Sequence, residues 1–369
     1  MEDNMNTASK AMELLGLGPL QMSLKLAIEL KLFEIINSSS GPHQSYLSAS
    51  QIASHLPTSN TSTTSTSLDR ILSLLASHSI LTTTTDEKGE RFYGLTPIST
   101  HFVPDQYGAS LGPLFMFFHD KVLMESWSYL KDRVLEGSVP FNMAHGMEIV
   151  DYMASDERFR RVFNEGLSIT QCVKHVPGDM FKGVPNGDIM FMKAQSKGAN
   201  MEVTNFELGA ISGDVTEKGM EDLEKNDDVT VAELEVAEDS KKLLQFCCSP
   251  VLTIPYQNLL DLLSWVFILH GFDDEHCVAI LKNCWNALPR HGKVLIAEYV
   301  LPSTNVSEFP DACRLAFTLD AMMLVYRAGG KERTLVEYEE LGKRAGFHGM
   351  KAFPCSLGIV AIELQKESS

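Results

Sequence analysis

The stretch of sequence that decides the fold is residues 267–301, which read FILHGFDDEHCVAILKNCWNALPRHGKVLIAEYVL. Its apolar side chains recur at the spacing of one helical face: Cys277, Ile280, Leu281, Cys284 and Leu288. Residues Lys293–Leu301 then form an almost continuous apolar run, which is typical of a strand buried on both faces. Helix and strand alternating in this way predict an α/β domain built on a mostly parallel sheet.

The residues after this stretch continue the same alternation. Thr334 and Glu337 have the spacing of a capping box, which predicts a helix start, and Gly346 predicts the end of that helix. A last strand is predicted at residues 359–364. The segment 194–265 is different in texture, because it is polar and strongly acidic before it becomes Leu-rich, and no sheet strand is predicted in it.

His270 is the first candidate for chemistry. It follows an apolar segment and precedes the predicted helix, which places it at a strand-to-helix turn, where α/β folds bind ligands. Glu298 near the end of the predicted strand and Glu332 in the loop 329–334 are candidate partners, one to fix the tautomer and the other to flank the ring. An isolated histidine before a helix is more often structural, so the surrounding pattern has to decide.

A histidine flanked by two carboxylates suits general-base catalysis, and removal of the proton of a phenol is a demanding case of it. A phenol has a pKa near ~10 and a histidine near ~6.5, so the transfer is uphill by roughly 5 kcal/mol. Carboxylates that stabilise the imidazolium reduce this cost.

The N-terminal residues predict a helical module. Residues 8–36 read as helix with a break at 16–19, and residues 48–55 read as a shorter helix. Residues 57–67 are rich in Ser and Thr and are predicted to be a loop.

A further helix and a hairpin complete this module. Apolar residues from Leu68 onward have helical spacing, and residues 80–84 and 91–95 flank a turn at 86–89. Helix, helix and hairpin are typical of a winged-helix fold. The net charge of −17 and the single basic residue Arg70 in the stretch 68–78 argue against nucleic-acid binding, so dimerisation is the preferred role.

Cysteine usage and hydropathy indicate the compartment. The seven cysteines include no Cys-x-x-Cys pair, and their odd number favours reduced thiols over a disulfide framework. The N-terminus lacks the basic flank and apolar core of a signal peptide. The longest apolar run, about 259–269, is far shorter than the ~20 residues of a membrane span. A cytoplasmic protein without a membrane partner is expected.

Several motifs, in order along the chain, resemble the plant caffeic acid O-methyltransferase family. They are Met124–Trp127, Pro140–Gly146, His270 with its flanks through Cys277, Ala297–Glu298 and Gly329–Thr334. The resemblance covers about residues 1–171, 175–193 and 266–369. It implies a winged-helix-like dimerisation domain at 1–110 and a Rossmann-like S-adenosylmethionine-dependent methyltransferase domain at 111–369.

The resemblance also implies roles for individual residues. A metal-independent homodimer would methylate a hydroxyl of a small phenolic, phenylpropanoid-type substrate. The catalytic residues would be His270, Glu298 and Glu332, and the cofactor would contact Asp179, Met180 and Lys193. Substrate would contact Leu123, Phe159, Phe163, Met322 and Met323.

Two departures from the family leave two hypotheses open. The sequence passes from Lys174 to His175 without the family's glycine-rich cofactor turn and the βαβ unit around it, and the acidic segment 194–265 is atypical. The first hypothesis is a phenolic O-methyltransferase with His270 as base. The second is a catalytically inactive member that acts only through dimerisation.

Overall fold

A computed structural model describes residues 2–38, 46–105, 108–166, 189–197, 200–208, 262–266, 268–288, 290, 292–303, 311–354 and 359–366. The chain divides into two compact units. The N-terminal unit is Met1–Asp120 with Glu165–Gln171, and the C-terminal unit is Lys121–Asn164 with Cys172–Ser369. The functional boundary expected between residues 110 and 111 stays a prediction.

The N-terminal unit has the expected order of helix, helix and hairpin. Its helices are α1 (Glu2–Glu13), α2 (Leu17–Glu29), α3 (Leu32–Ser38), α4 (Ala49–Ser54), α5 (Thr61–Ser77), α6 (Pro97–Thr100) and α7 (Gly112–Phe118). Its strands are β1 (Leu47–Ser48), β2 (Leu81–Thr85) and β3 (Arg91–Leu95). They form an antiparallel sheet in the order β1-β3-β2.

The long N-terminal helix predicted at 8–36 is interrupted twice. A 3-10 turn at Leu14–Gly16 separates α1 from α2, close to the predicted break. A second break separates α2 from α3 at Lys31, which has a φ of 53°. An L-residue with positive φ cannot continue a right-handed helix, so the chain turns there.

Residues 61–67, predicted to be a loop, are the first two turns of α5. Asn60 caps the helix, since its Oδ1 accepts from the Thr63 amide at 3.1 Å. The hydroxyls of Thr64 and Thr66 donate to carbonyls four residues earlier, at 2.9 and 3.0 Å. Hydroxyl groups that bond back to the helix backbone let a Ser/Thr-rich segment remain helical despite its low propensity.

A polar network joins α5 to β3. The fully buried Tyr93 donates its hydroxyl to Asp69 Oδ1 at 2.6 Å and lies 2.8 Å from the Ser73 hydroxyl. Asp69 also forms an ion pair with Arg91, and the hydrogen bond from Arg91 is the largest factor lowering the pKa of Asp69. The network fixes the hairpin against the helix that carries the core residues Leu68, Leu72 and Leu75.

The C-terminal unit contains eight helices and seven strands among the described residues. The helices are α8 (Lys121–Ser126), α9 (Leu130–Glu136), α10 (Pro140–His145), α11 (Ile149–Ser155), α12 (Glu157–Gly166), α13 (Asp274–Ala287), α14 (Asp311–Tyr326) and α15 (Leu335–Ala345). The strands are β4 (Ile189–Lys197), β5 (Asn200–Leu208), β6 (Leu262–Val266), β7 (Lys293–Leu301), β8 (Arg333–Thr334), β9 (Gly349–Pro354) and β10 (Ile359–Gln365).

The sheet of this unit is mixed, so the prediction of a mostly parallel sheet is wrong for the described strands. The order is β5-β4-β6-β7-β10-β9, with β8 paired to β7. Strands β4, β6, β7 and β8 are parallel, whereas β5, β9 and β10 pair antiparallel. The chain returns to β10 and β5 from the neighbouring strands through short connections, which only antiparallel pairs permit.

The segment 194–265 contains strands that the sequence analysis did not place. Strand β4 continues to Lys197, β5 pairs with it over nine residues, and β6 lies between β4 and β7. Strand β5 forms the edge of the described sheet, where backbone pairing needs no continuous apolar run. Its polar sequence therefore gave no strand signal.

The hydrophobic core next to the turn at residues 269–271 matches the predicted pattern closely. The stripe Cys277, Leu281 and Cys284 of α13, with Leu288 directly after the helix, is buried against β7 and against α15. The capping box of Thr334 and Glu337 and the left-handed Gly346, with φ of 105°, are both present. No helix in the described part of the chain is both long enough and apolar enough to cross a bilayer.

Replacing Tyr93 by Phe tests the polar network of the N-terminal unit. We expect the free energy of unfolding of this unit to fall by about 1 kcal/mol, because a buried hydrogen bond contributes roughly that amount. Urea denaturation followed by circular dichroism measures the change. Tyr46→Phe is the matched control, since the Tyr46 hydroxyl has no hydrogen-bond partner among the described residues. Equal losses in both variants would contradict the assignment.

Candidate active site

The turn that carries His270 joins β6 to α13. His270 lies in a 3-10 turn at Leu269–Gly271, and Asp273 caps the helix that follows, accepting from the His276 amide at 2.9 Å. The thiol of Cys277 donates to the carbonyl of Leu269 at 3.2 Å, and burial raises the pKa of this thiol to about 12. Cys277 is therefore a neutral structural group under the turn.

Arg333 holds both sides of this turn. Its guanidinium is fully buried and donates to the carbonyl of Leu269 at 3.0 Å and to that of Phe272 at 2.7 Å. The same group donates to Asp274 Oδ1 at 3.0 and 2.8 Å. The planar fork of arginine can serve these acceptors together, which the single ammonium group of lysine cannot. Sequence reasoning missed Arg333, although its position directly after Glu332 was a usable signal.

The glycine pair 329–330 brings the loop with Glu332 against the His270 turn. Gly329 has a φ of 74°, and a Cβ on it would lie 2.8 Å from the Cβ of Asp273. A Cβ on Gly330 would lie 3.1 Å from the carbonyl oxygen of His270. The next amide, that of Lys331, donates to that oxygen at 2.8 Å. Only glycine permits this approach, so the loop positions Glu332 beside the imidazole.

The three predicted catalytic residues come together. Nδ1 of His270 lies 2.8 Å from Glu332 Oε1 and 3.7 Å from Glu298 Oε2. Both carboxylates are buried, whereas 17% of the His270 side chain is exposed. Glu298 Oε1 accepts from the amides of Ile268 and Leu269, each at 2.8 Å, so it is also fixed to the start of the turn. We assign the proton to Nδ1 from this network, which leaves Nε2 to accept a proton.

Electrostatics makes His270 more basic than free histidine. Burial lowers its pKa, but the charge of Glu298 and the hydrogen bond and charge of Glu332 outweigh that effect and raise the pKa to about 9. Burial raises the pKa of Glu298, and the charge of His270 opposes this by favouring the ionised carboxylate. The raised pKa of His270 lies closer to that of a phenol than the pKa of free histidine does. The transfer is therefore easier than the sequence estimate implied.

The same three side chains offer ligand atoms within 4.8 Å of one another, a spacing that a metal ion also accepts. Their hydrogen bonds favour a different use. Glu298 Oε1 is occupied by two amides and Glu332 Oε1 by the imidazole. Oε2 of each carboxylate is buried and has no hydrogen-bond partner among the described residues. The expected independence from metal stays a prediction.

A cleft of about 220 Å³ lies beside the His270 turn. It is lined by Asn142, Glu148, Ile149, Gly271, Phe272, Asp273, His276, Tyr326, Arg327 and Ala328. The wall residue Tyr326 accepts a hydrogen bond from the indole N–H of Trp127 at 2.8 Å, and burial raises the pKa of Tyr326 to about 12. Most of these residues were missed in the sequence, since a polar lining drawn from separate helices has no periodic signal.

The predicted substrate contacts lie elsewhere in the C-terminal unit. Leu123 on α8 and Phe159 on α12 are fully buried. Phe163, Met322 and Met323 are half-buried, on α12 and α14. None of these five residues lines the cleft described above. Their role as substrate contacts stays a prediction.

The predicted cofactor contacts are not assembled by the described residues. Asp179 and Met180 lie outside the described residues, and only the backbone of Lys193, paired with Thr204, is described. The edge of β4 opposite β6 is taken by the antiparallel β5. A doubly wound fold places a parallel strand and a glycine-rich turn at such a position to hold its cofactor. The described residues therefore do not form a cofactor cradle.

Replacing Glu332 by Gln tests the basicity of His270. The amide still accepts a hydrogen bond but carries no charge, so we expect the pKa of His270 to fall from about 9 toward its ordinary value. Proton NMR titration with labelled histidine measures this directly. Glu339→Gln is the control, because Glu339 is paired with the exposed Lys343 on the protein surface. An unchanged His270 titration in the Glu332 variant would refute the assignment.

The same variant has a predicted effect on stability. The folded-state pKa of His270 is raised, so this group stabilises the fold below its unfolded pKa near ~6.5 and loses that contribution as the pH rises through about 9. Denaturation midpoints of the native protein should therefore fall across this window. The fall should be smaller in Glu332→Gln.

Replacing Arg333 by Lys tests the clamp on the turn. The carbonyls of Leu269 and Phe272 would lose their donors in a buried site, and we expect a loss of at least about 2 kcal/mol in the free energy of unfolding. Thermal and urea denaturation measure it. Arg344→Lys is the matched control, because Arg344 pairs with the exposed Glu275. A loss no larger than that of the control would show that Arg333 does not hold the turn.

Two family domains match the chain in order. An O-methyltransferase dimerisation domain matches residues 12–105, and an O-methyltransferase domain matches residues 127–173 and 238–348. The second stretch begins at residue 238, so part of the acidic segment lies inside the family match. Residues 174–237 lie between the matched stretches, and they include all three predicted cofactor contacts.

Known proteins resemble the chain over nearly its whole length. Desmethyl-yatein O-methyltransferase of Sinopodophyllum hexandrum is 40% identical over 380 aligned residues that cover 100% of both chains. Caffeic acid 3-O-methyltransferase of Zinnia elegans is 36% identical, covering 96% of this chain and 97% of its own. The structure of human N-acetylserotonin methyltransferase in complex with SAM has a TM-score of 0.68 at 16% identity, over 98% of each chain, which shows the fold alone. From its two matched domains and these plant relatives, the chain belongs to the O-methyltransferase family that includes the caffeic acid 3-O-methyltransferases.

Proposed function

We propose that this chain catalyses O-methylation of a small phenolic, phenylpropanoid-type substrate, with His270 as the general base. The observation that carries the proposal is the hydrogen bond of 2.8 Å between His270 Nδ1 and the buried Glu332, with Glu298 at 3.7 Å. Relatives named for caffeic acid and for (iso)eugenol support the substrate class.

The chain's own residues would act on the proton of the phenol. Glu332 holds the imidazole in the tautomer that presents Nε2, and both carboxylates stabilise the imidazolium that forms. Because the pKa of His270 is about 9, the neutral base becomes more abundant as the pH rises, and turnover should rise up to that pH. S-adenosylmethionine, the cofactor of this family, supplies the methyl group when it is bound.

The second hypothesis, an inactive member that acts through dimerisation, is supported by a specific observation. The antiparallel β5 pairs with the edge of β4, and no glycine-rich turn follows a parallel strand among the described residues. The dimerisation domain at 12–105 is independent of that defect.

We further propose a cytoplasmic homodimer whose partners include neither nucleic acid nor membrane. The dimerisation domain supports self-association. The net charge of −17 opposes phosphate-backbone binding.

His270→Gln separates the two hypotheses when it is compared with the native chain. We expect native protein to bind S-adenosylmethionine in calorimetry and to yield methylated phenol by mass spectrometry. The variant should bind equally but lose at least about 100-fold in turnover. His78→Gln, an exposed histidine after α5, is the control. If the native chain shows neither cofactor binding nor methylated product, the enzyme hypothesis is refuted and the dimerising member is favoured.

A further inference from the structure

Arg327 follows directly after α14 and lines the cleft beside the His270 turn. Its Nε donates to the carbonyl of Gly271 at 3.2 Å, the residue next to the base. The guanidinium carbon lies 5.5 Å from the centre of the Phe272 ring, a cation–π distance. These contacts hold a half-buried cation at the wall of the cleft.

Within the described part of the chain, Arg327 has no ion-pair partner. Among the described residues, no carboxylate lies within the 4.0 Å of an ion pair from its guanidinium. The nearby Asp273 is already paired with His276 at 2.7 Å. Arg333, by contrast, is paired with Asp274 and two carbonyls. A partly buried guanidinium normally has an acceptor, and its planar fork suits an anionic oxygen.

Charge balance shows why such a cation belongs next to this base. Proton transfer from a phenol would leave a phenolate beside an imidazolium and the two carboxylates of Glu298 and Glu332. The protein groups alone then carry a net charge of about −1, which repels the phenolate. Arg327 offsets that charge, and its effect is already visible because it lowers the pKa of His270 against the carboxylates.

We propose that Arg327 pairs with the oxygen of the phenol that reacts, so that the cleft binds its substrate as the phenolate. The O–H bond of the phenol breaks, its proton moves to Nε2 of His270, and its electron pair stays on the oxygen that faces Arg327. The proposal rests on the proposed function in treating the cleft as the phenol site and His270 as the base. It does not require bound cofactor.

The other titratable groups at the cleft are Glu148, Asp273, His276 and Tyr326. Two of them are carboxylates, and either would raise the pKa of a bound phenol rather than lower it. Tyr326 is neutral near physiological pH, since its own pKa is raised to about 12. Any lowering of the pKa of a bound phenol therefore has to come from Arg327 or from a protonated histidine.

A coloured phenol tests the proposal without the cofactor. The probe is 2-methoxy-4-nitrophenol, whose phenolate absorbs visible light, and its bound pKa is read from absorbance titrations with saturating full-length protein. We expect the native chain to lower the pKa of the probe, Arg327→Gln to raise it by at least about one unit, and Arg327→Lys to restore part of the shift. Arg344→Gln is the control, because that guanidinium pairs with an exposed glutamate.

Each outcome decides the proposal. An equal bound pKa in the native chain and in Arg327→Gln overturns it, as does failure of the native chain to bind the probe. If the Gln variant does not fold, judged by circular dichroism, the comparison of the native chain with Arg327→Lys and Arg327→Met decides it. A second arm compares 4-hydroxy-3-nitrobenzoate with its methyl ester. An Arg327 effect seen only with the free carboxylate would assign the arginine to that group and overturn the proposal.

The experiment also separates this proposal from the proposed function. Loss of methyl transfer with the Arg327-dependent shift intact would refute the methyltransferase while leaving phenolate binding in place. Methyl transfer without any Arg327-dependent shift in the pKa of the probe would refute phenolate binding by Arg327 and leave the methyltransferase function in place.

Discussion

The site depends on two buried carboxylates that approach one imidazole nitrogen. Glu332 accepts from His270 Nδ1 at 2.8 Å, and Glu298 lies 3.7 Å away with its other oxygen on two amides. Two buried anions beside each other are costly unless a cation and hydrogen bonds compensate them. The imidazolium provides that cation, which is why the pKa of His270 is raised to about 9. The loop with its glycine pair, the clamp of Arg333 and the cap at Asp273 all serve to keep the three groups at this distance.

Much of the fold around the site could be predicted from local sequence. The stripe of α13, the apolar run of β7 and the capping box of α15 are short-range patterns that burial confirms. The proximity of His270, Glu298 and Glu332 could also be predicted, because the motifs that contain them resemble those of the caffeic acid O-methyltransferase family; their catalytic roles stay predictions. In the N-terminal unit, the same reasoning found the hairpin but took the first turns of α5 for a loop, since backbone-bonded hydroxyls leave no apolar trace.

What the sequence could not supply was long-range pairing. The direction of β10 and the position of β5 depend on which strand edges meet, and no spacing within one strand encodes that. The cleft is a similar case. Its wall is drawn from α10, α11, the turn after His270 and the end of α14, so its polar residues are close in space but far apart in sequence. Arg333 was missed because a single buried arginine cannot be distinguished from a surface arginine in the sequence, where its acceptors are not known.

The nine-residue ladder between β4 and β5 also constrains how the family's glycine-rich turn could be introduced into this chain. Adding the missing βαβ unit between Lys174 and His175 would supply a strand that needs a free edge to join, and the hairpin occupies that edge. An engineered chain would therefore have to lose residues 200–208, or their pairing with β4, in addition to gaining the glycine-rich turn. Insertion alone would leave two segments competing for one row of backbone amides.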